Sequence, residues 1–258
     1  MASANPTRTL RLADTDVARI GLGTNRLSRT PELVAFVKGA VEEGVSLIDT
    51  AHTYAGGQSE ETIGAALGPS PDGCIVETKG GWNGARPEVL RAEIDESLRR
   101  LRTDKIGLYY LHRPDPGTPI EESLGAIKEA RDSGKIGHVG VSNVDIKQIE
   151  RARDVVPIAA VQNRFSVSER THDDVVDYCE REGIVFVPYF PLRGVAGRAL
   201  ADIAKRRGAT EAQIALAWLL KRSPTMLPIP GTLSREHVKE NLGALDIELT
   251  DAEFQALP

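Results

Sequence analysis

The feature that constrains this chain most is an alternation of short apolar runs with longer helical segments. Eight runs are predicted to be strands, at residues 19–23, 46–49, 74–78, 106–111, 137–141, 158–162, 184–189 and 226–229. Strands that alternate with helices favour a parallel sheet joined by right-handed crossovers. A chain of 258 residues also has the length of one (β/α)8 barrel, which typically takes about 250 residues. We therefore predict one α/β domain over residues 1–258, a (β/α)8 TIM barrel.

The helical segments supply the outer layer of the barrel and some helices beyond it. They are expected near 31–43, 59–67, 87–101, 145–153, 173–181, 200–206 and 235–242, with others beginning near residues 120, 210 and 250. Thr30 before Pro31 is a good helix start, and the pattern of Thr118 and Glu121 predicts a capping box. The two helices before the eighth strand and the one after Thr250 are auxiliary to the barrel. An open doubly wound sheet is the competing fold, but it usually carries a GxGxxG phosphate turn, which this sequence lacks.

Composition and charge argue against several classes of partner. The net charge of −5 disfavours nucleic acid, because phosphate binding favours a basic surface. No apolar run approaches the ~20 residues of a membrane helix, and residues 1–10 lack the apolar core of a signal peptide. Cys74 and Cys179 are predicted to be buried thiols, which indicates a reducing, cytoplasmic location. No metal site is predicted.

Titratable residues occur at the ends of consecutive predicted strands. Asp49 ends the second strand, Lys79 the third and His112 the fourth, while Tyr54 lies in the loop after Asp49. Each alone has a structural explanation: a loop cap, a surface lysine, a histidine bonded to backbone, or a packed aromatic ring. The C-terminal ends of the strands, however, form the active-site face of a (β/α)8 barrel. The joint placement of these four residues therefore predicts one catalytic site. Further polar residues round the same rim are Ser142, Asn143, Gln162, Asn163 and Tyr189.

This set of side chains suits proton delivery to a carbonyl group that receives a hydride. A phenol has a reference pKa of ~10 and is a weak acid near neutrality, so we expect the Lys79 ammonium to lower the pKa of Tyr54. Asp49 would hold Lys79 in place and keep it charged, and His112 would orient the substrate oxygen. A positioned acid contributes typically about 10²–10⁴-fold. The hydride must come from a cofactor, because side chains do not supply one.

The motifs around these residues resemble those of the aldo-keto reductase superfamily, in particular its short bacterial-type members. They are IDTAHTY with Asp49 and Tyr54, ETKGG with Lys79, YYLHRPD with His112, GVSN at 140–143 and VQN at 161–163. The resemblance runs in the family's order from about residue 19 to residue 249, nearly the whole chain. It implies a (β/α)8 barrel that binds a nicotinamide dinucleotide and reduces aldehydes or ketones to alcohols, with Tyr54 as the general acid.

The resemblance also implies a set of binding positions. It places Ser142, Asn143 and Gln162 on the nicotinamide carboxamide and Tyr189 against the nicotinamide ring. Gly23, Thr24 and Asn25 would lie near the cofactor, with Leu192 and Gly194 beside the pyrophosphate. The adenosine end maps to Gly231, Thr232, Ser234, His237, Glu240 and Asn241. The pocket for a small carbonyl substrate would be lined by Tyr54, Trp82, His112 and Arg113, with Asn25 beside them.

Two departures from the family pattern bear on the choice of cofactor. Many members carry lysine where Gly231 stands and arginine where His237 stands, and both bind the 2′-phosphate of NADPH. The N–H groups and dipole of the helix that begins near Ser234 still suit that phosphate, although Ser234 alone would be an ordinary N-cap. Arg235 and Lys239 either add positive charge there or are simply solvated. NADPH is therefore the predicted cofactor, with NADH as the alternative.

The segments that shape the substrate pocket in larger members are short here, so we expect an open pocket with little discrimination between substrates. The leading prediction is a monomeric, NADPH-dependent carbonyl reductase. Alternatives are an alcohol or sugar dehydrogenase working in the oxidative direction, and a nicotinamide-binding, redox-sensing subunit of another protein. A lyase or isomerase that forms a Schiff base on Lys79 would need no nicotinamide.

Overall fold

A computed structural model of the protein describes residues 8–257, and its centre is a parallel sheet. The strands are β1 (Thr9–Leu12) and β2 (Thr15–Ala18), which form a separate hairpin, then β3 (Leu22–Gly23), β4 (Leu47–Asp49), β5 (Ile75–Gly80), β6 (Ile106–Leu111), β7 (Ile136–Ser142), β8 (Ile158–Gln162) and β9 (Val185–Phe186). From β3 to β9, each strand pairs in parallel with the next one along the chain. The predicted lack of a signal peptide concerns a segment that lies mostly outside the described residues.

The segment 225–231, where the sequence predicts the eighth strand, closes the sheet into a barrel. On one side the Leu227 N–H donates to the Phe186 carbonyl at 2.9 Å, and on the other the Gly21 N–H donates to the Pro228 carbonyl at 2.9 Å. Proline has no N–H, so this segment bonds to both neighbours without forming a regular strand. The predicted (β/α)8 architecture is confirmed, with an irregular segment in the eighth position.

Helices surround the sheet or extend beyond it. They are α1 (Pro31–Glu42), α2 (Gln58–Leu67), α3 (Pro87–Leu101), α4 (Ile120–Asp132), α5 (Ile146–Val155), α6 (Asp173–Glu182), α7 (Arg198–Arg207), α8 (Glu211–Arg222), α9 (Arg235–Gly243) and α10 (Asp251–Gln255). The predicted auxiliary helices are confirmed as α7, α8 and α10. Thr30 caps α1 by accepting a hydrogen bond from the Leu33 N–H at 3.3 Å, as predicted. Among the described helices, none has the length and apolar character needed to cross a membrane.

The capping box predicted at Thr118 is wrong. The helix α4 begins at Ile120 with Pro119 as its N-cap, and the described structure has no side-chain cap at this end. The Thr118 hydroxyl instead donates to Asp115 Oδ2 at 3.2 Å. Asp115 also accepts from the Gly117 N–H at 2.9 Å, so this carboxylate organises the loop and takes the threonine hydroxyl away from the helix.

The hairpin of β1 and β2, absent from the sequence prediction, covers the N-terminal end of the barrel. Leu12 and Val17 are buried and pack against inward-facing residues of the strands. The Ala18 N–H donates to Ser46 Oγ at 2.7 Å, just before β4 begins. The hairpin therefore lies opposite the face that carries the predicted catalytic residues. Its two-residue turn begins with Ala13 at φ 54° and lacks the Asn-Gly signal that would have predicted it.

The two cysteines differ in their surroundings. Cys179 is buried in α6, and burial raises its pKa to about 12. Cys74, just before β5, is only partly buried, and burial raises its pKa to about 11. Both thiols are therefore protonated near neutrality, but only Cys179 is as deeply buried as predicted.

Candidate active site

An ion pair between Lys79 and Asp49 lies inside the barrel, toward the C-terminal ends of β4 and β5. Lys79 Nζ donates to Asp49 Oδ1 at 2.5 Å and to the Thr50 carbonyl at 2.7 Å. The Lys79 and Asp49 side chains are 0% and 3% exposed. Burial alone lowers the pKa of Lys79, but the negative charges around it, chiefly Asp49, raise that pKa to about 12 overall. The ammonium form therefore persists at neutral pH, which argues against a Schiff-base lysine.

Tyr54 is held beside this pair by a strained turn. It begins a 3-10 turn in which Ala55 and Gly56 have left-handed backbone angles, with φ of 49° and 64°. Such a conformation is unfavourable for a residue with a side chain, such as Ala55, and persists only where the surrounding structure fixes it. Lys79 Nζ lies 5.1 Å from the centre of the Tyr54 ring. The structure thus brings the phenol, the ammonium and the carboxylate together.

Lys79 lowers the pKa of Tyr54 as predicted, but it does not set the direction of the net shift. Burial of the phenol raises its pKa above 10.0; Lys79 lowers it, and the negative charge of Asp49 raises it again. The net shift is upward, because desolvation is the largest of these effects. Tyr54 is therefore protonated at neutral pH, and Lys79 limits the rise without reversing it.

His112 joins the group from the end of β6. Its backbone N–H donates to the Gly80 carbonyl at 2.8 Å, and its ring lies edge-on to Tyr54 with the ring centres 6.0 Å apart. Burial, together with the positive charges of Lys79 and Arg113, lowers the pKa of His112 to about 3. The imidazole is therefore neutral and carries one N–H. Its Nδ1 is buried without a hydrogen-bond partner among the described residues.

Side chains at the ends of β7 and β8 are bonded to the predicted catalytic residues. Gln162 Nε2 donates to Asp49 Oδ1 at 2.8 Å. Asn143 Nδ2 donates to the His112 carbonyl at 3.0 Å, and Asn143 Oδ1 accepts from the Tyr189 hydroxyl at 2.8 Å. These bonds fix both amides and the Tyr189 ring in place, so this part of the rim is preorganised for a ligand.

A second buried carboxyl, Glu77, lies close to the ion pair and is absent from the sequence prediction. It is fully buried, and it accepts from the Tyr110 hydroxyl at 3.0 Å and from Gln162 Nε2 at 3.4 Å. Burial and the charge of Asp49 raise the pKa of Glu77 well above its ordinary value, despite the opposing effect of Lys79. The barrel interior therefore favours the protonated form of Glu77. A sequence signal exists, because residues two apart on a strand face the same side, and Glu77 precedes Lys79 by two.

Two connected spaces open beside these residues. The first, here called the rim cleft, has a volume of 390 Å³ and is lined by Gly23, Thr24, Asn25, Arg26, Asp49, Tyr54, Tyr189, Phe190, Pro191, Leu192, Arg193, Ile229, Pro230 and Gly231. The second, here called the mouth cavity, has a volume of 380 Å³ and is lined by Asn25, Thr53, Tyr54, Trp82, His112, Ser142, Asn143, Gln162, Arg164, Tyr189 and Phe190. Because the two spaces share four lining residues, one extended ligand can occupy both. The sequence prediction missed three arginines here: Arg26, Arg164 and Arg193.

Trp82 and Arg113 occupy different positions relative to the mouth cavity. Trp82 is 40% exposed, and its ring centre lies 4.7 Å from that of His112. Arg113 Nε donates to the Trp82 carbonyl at 2.9 Å, and the guanidinium lies 4.5 Å from the Trp82 ring centre. Arg113 lines a neighbouring depression with Gly84 and Asp115. It therefore supports Trp82 from outside the cavity, whereas the sequence places it in the substrate pocket.

The residues predicted for the adenosine end are divided between the rim cleft and α9. Gly231 lines the rim cleft. Ser234 is the N-cap of α9 and accepts from the His237 N–H at 3.3 Å. The Thr232 hydroxyl lies 3.3 Å from His237 Nδ1. These contacts give the start of α9 a defined shape beside the cleft.

Other residues predicted to meet the cofactor contribute to packing. Glu240 accepts from Thr210 Oγ1 at 2.6 Å, which connects α9 to α8. Asn241 is buried in α9. Gly194 has a left-handed φ of 71°, and a Cβ there would lie 2.3 Å from Ser168 Oγ. A side chain at position 194 would therefore strain the turn and crowd Ser168.

Arg235 and Lys239 do not supply free positive charge at α9. Arg235 pairs with Glu43, and Lys239 Nζ lies 3.4 Å from Glu43 Oε1. Both cations are therefore directed toward the end of α1. By contrast, Arg26 and Arg193 line the rim cleft itself.

Comparisons with known proteins agree with this geometry. The model of the Aldo/keto reductase family matches residues 19–197 and 195–258. An uncharacterised oxidoreductase of Schizosaccharomyces pombe is 36% identical over 98% of this chain and 90% of its own length. Pyridoxine 4-dehydrogenase of Escherichia coli is 33% identical over 96% of each chain. The structure of an aldo/keto reductase from Klebsiella pneumoniae in complex with NADP and acetate has a TM-score of 0.88 and 30% identity, over 96% of this chain and 93% of that one.

Proposed function

Since the chain belongs to the aldo/keto reductase family, whose members are oxidoreductases acting on carbonyl and alcohol groups, we propose that it reduces aldehydes or ketones with NADPH and that Tyr54 supplies the proton. The observation that carries this proposal is the buried Lys79–Asp49 pair, whose Nζ lies 5.1 Å from the Tyr54 ring centre. The substrate carbonyl would lie in the mouth cavity, beside Tyr54 and His112.

The rim cleft and the mouth cavity fit an extended nicotinamide dinucleotide. The nicotinamide would lie against Tyr189, which lines both spaces, and its carboxamide would meet Ser142 and Gln162. Arg26 and Arg193 would meet the phosphates, since a guanidinium binds phosphate well. The NADP bound to the Klebsiella relative supports the same cofactor here. When bound, NADPH supplies the hydride.

Each side chain of the group has a defined task in proton delivery. Neutral His112 would donate its N–H to the carbonyl oxygen, which orients the substrate and polarises the carbonyl. Tyr54 is protonated at neutral pH and would give its proton to the same oxygen as negative charge develops there. The Lys79 ammonium would stabilise the phenolate left behind, while Asp49 keeps Lys79 charged and in place.

Replacing Tyr54 by phenylalanine tests the proton-donor role. The variant should lose about 10²–10⁴-fold in kcat, because a positioned acid typically contributes that much. NADPH binding should be retained, and quenching of the exposed Trp82 fluorescence measures it. Tyr178→Phe is the matched control, because the Tyr178 hydroxyl bonds to Arg153 on the outer layer of helices; its turnover should be unchanged. Full turnover in Tyr54→Phe would contradict the proposal.

Oxidation of an alcohol with NADP+ is the second candidate for the same site. It is favoured by the 33% identical relative that is named pyridoxine 4-dehydrogenase. Tyr54 would then accept the proton that it gives in the reductive direction. Rates measured in both directions, with the phosphorylated cofactors and with NADH and NAD+, rank the two directions and the two cofactors. Binding of NADPH without turnover of any carbonyl compound would instead favour a redox-sensing role.

We also propose that the protein is a monomer in the cytoplasm. The free thiols of Cys74 and Cys179 support a reducing compartment. Light scattering on the purified protein tests the monomer, and cell fractionation tests the location.

A further inference from the structure

Arg164 is a positively charged residue in the mouth cavity that the proposed chemistry does not use. It follows β8, and its backbone pairs with that of Tyr189. Its guanidinium carbon lies 5.8 Å from the centre of the Tyr189 ring and 5.9 Å from that of Phe190. These cation–π contacts hold the guanidinium against the cavity wall, in the same space as His112.

No acidic side chain neutralises Arg164 within 4.0 Å in residues 8–257, and its Nε is buried without a hydrogen-bond partner there. By contrast, Arg100 and Arg222, which are also largely buried, each bind two carboxylates. Glu169 is near enough to be affected by Arg164, but its pKa is lowered chiefly by its hydrogen bond from the Thr171 hydroxyl. Arg164 therefore has hydrogen-bonding capacity left for an anion from outside the protein.

The position of Arg164 separates it from the residues that would meet the cofactor phosphates. Arg26 and Arg193 line the rim cleft, whereas Arg164 lines the mouth cavity with Trp82 and His112. A molecule whose carbonyl oxygen is bound by His112 would occupy that cavity, so a second group on the same molecule would lie in the space that Arg164 also lines. A guanidinium binds a carboxylate through two parallel hydrogen bonds, which are among the strongest in proteins.

We propose that Arg164 binds a carboxylate on the substrate, so that the enzyme prefers aldehydes and ketones that carry a carboxylate over neutral ones. This inference rests on the proposed carbonyl reduction and differs from the weak discrimination expected from the sequence. Arg164 acts in binding and specificity and has no part in proton transfer. Two substrates with the same carbonyl chemistry but different charge can therefore isolate its effect.

The aldehydes 4-carboxybenzaldehyde and 4-formylbenzamide form a matched pair, because they have nearly the same shape and differ in charge. The wild-type protein should reduce the acid with a kcat/KM about 10- to 100-fold higher than the amide, the range of hydrogen bonds to a charged group. Arg164→Gln should lower kcat/KM for the acid to the level of the amide and leave the amide unchanged. Arg198→Gln is the control, since that side chain is 96% exposed at the start of α7, and it should change neither value.

A titration that needs no turnover separates binding from reaction. With NADP+ present, 4-carboxybenzaldehyde should quench Trp82 fluorescence, and Arg164→Gln should weaken that binding by at least about tenfold while NADPH affinity stays constant. An equal loss for both aldehydes, or a change in NADPH affinity alone, would overturn the assignment. If the wild type reduces neither aldehyde, the proposed reduction fails, and this titration still decides whether Arg164 binds the carboxylate.

Discussion

Replacing Lys79 by methionine should destabilise the protein more than replacing Asp49 by asparagine, although the two side chains form one ion pair. The reason lies in Glu77, the second buried carboxyl close to the pair. Removing Lys79 leaves the Asp49 carboxylate buried without its cation. Removing Asp49 leaves Lys79 buried as well, but Glu77 can then ionise and become its counterion. Burial and the charge of Asp49 together keep the pKa of Glu77 high. When Asp49 is replaced, only the effect of burial remains, so Glu77 ionises more readily.

The structure sets the scale of these effects. The pKa of Lys79 rises from its ordinary value of 10.5 to about 12, which corresponds to about 2 kcal/mol of net stabilisation at about 1.4 kcal/mol per pKa unit. Because the pKa is raised, this contribution is fully present below pH 10.5 and is lost as the pH rises through about 12. Removing one partner of a buried pair costs more, about 3–5 kcal/mol, since the remaining charge is uncompensated. We therefore expect a loss of about 3–5 kcal/mol for Lys79→Met and about 1–2 kcal/mol for Asp49→Asn.

Glu77→Gln separates this explanation from a simple difference between the two positions. Alone, it should change the free energy of unfolding by less than about 1 kcal/mol, because glutamine resembles protonated glutamic acid and the Tyr110 hydroxyl can accept as well as donate. Combined with Asp49→Asn, it removes the replacement counterion of Lys79. The double variant should then lose about 3–5 kcal/mol, more than the sum of the two single changes.

Urea unfolding at neutral pH, followed by the fluorescence of the buried Trp218, gives the free energy of unfolding of each variant. Lys135→Met is the control, because Lys135 pairs with Asp95 at 2.6 Å on the exposed surface, where an ion pair contributes about 0–1 kcal/mol. If the Asp49 and Lys79 single variants lose the same free energy, or if the double variant is additive, the idea of an exchangeable counterion is wrong.

Two further predictions concern the protonation and packing of the strand ends. Because the pKa of His112 is about 3, a pH profile of kcat/KM should show no inflection from this residue between about pH 5 and 8. If NMR shows that the imidazole of His112 titrates in that range, the neutral state is refuted. Gly80→Ala should lower the free energy of unfolding by about 1–3 kcal/mol or more, because a Cβ there would lie 2.0 Å from Tyr109 Oη. Gly125→Ala, at an open position in α4, should instead stabilise the protein by up to about 1 kcal/mol. If both variants change the free energy of unfolding in urea by the same amount, space at Gly80 is not limiting.

The grouping of the proposed catalytic residues could be predicted from the sequence because a parallel barrel converts order along the chain into position in space. Asp49, Lys79 and His112 each stand at the end of an apolar run, and the ends of successive parallel strands meet at one rim. Their closeness follows from topology alone. The same logic identifies Glu77, two residues before Lys79, once the strand is known to be buried on its inner face.

The direction of the Tyr54 pKa shift could not be predicted in the same way, because it is the sum of opposing effects. The sequence motifs identify the charged partners, Lys79 and Asp49. The largest cause, desolvation, depends on how completely the folded rim covers the phenol. A local sequence motif does not show how deeply the phenol is buried.

The pairing of the positive charges at α9 could not be predicted from the sequence for a different reason. Arg235 and Glu43 are 192 positions apart and pair only because α9 packs beside α1. The N-terminal hairpin was missed because four-residue strands around a turn that starts at Ala13 carry little periodicity. The ion pair depends on long-range packing, and the hairpin depends on a turn that lacks the residues usually found in such turns.

The raised pKa of Glu77 bears on how one lysine can both hold a carboxylate and stabilise a phenolate. Asp49 and Lys79 form an ion pair, and the interior favours the neutral form of Glu77 beside it. If Tyr54 donates its proton as proposed, the cluster gains one negative charge, which the ammonium 5.1 Å from the ring centre can stabilise. If Glu77 were ionised, the cluster would be negative from the start and the phenolate would be harder to form. By keeping water away from Glu77, the barrel interior therefore contributes to the acidity of a tyrosine on the rim.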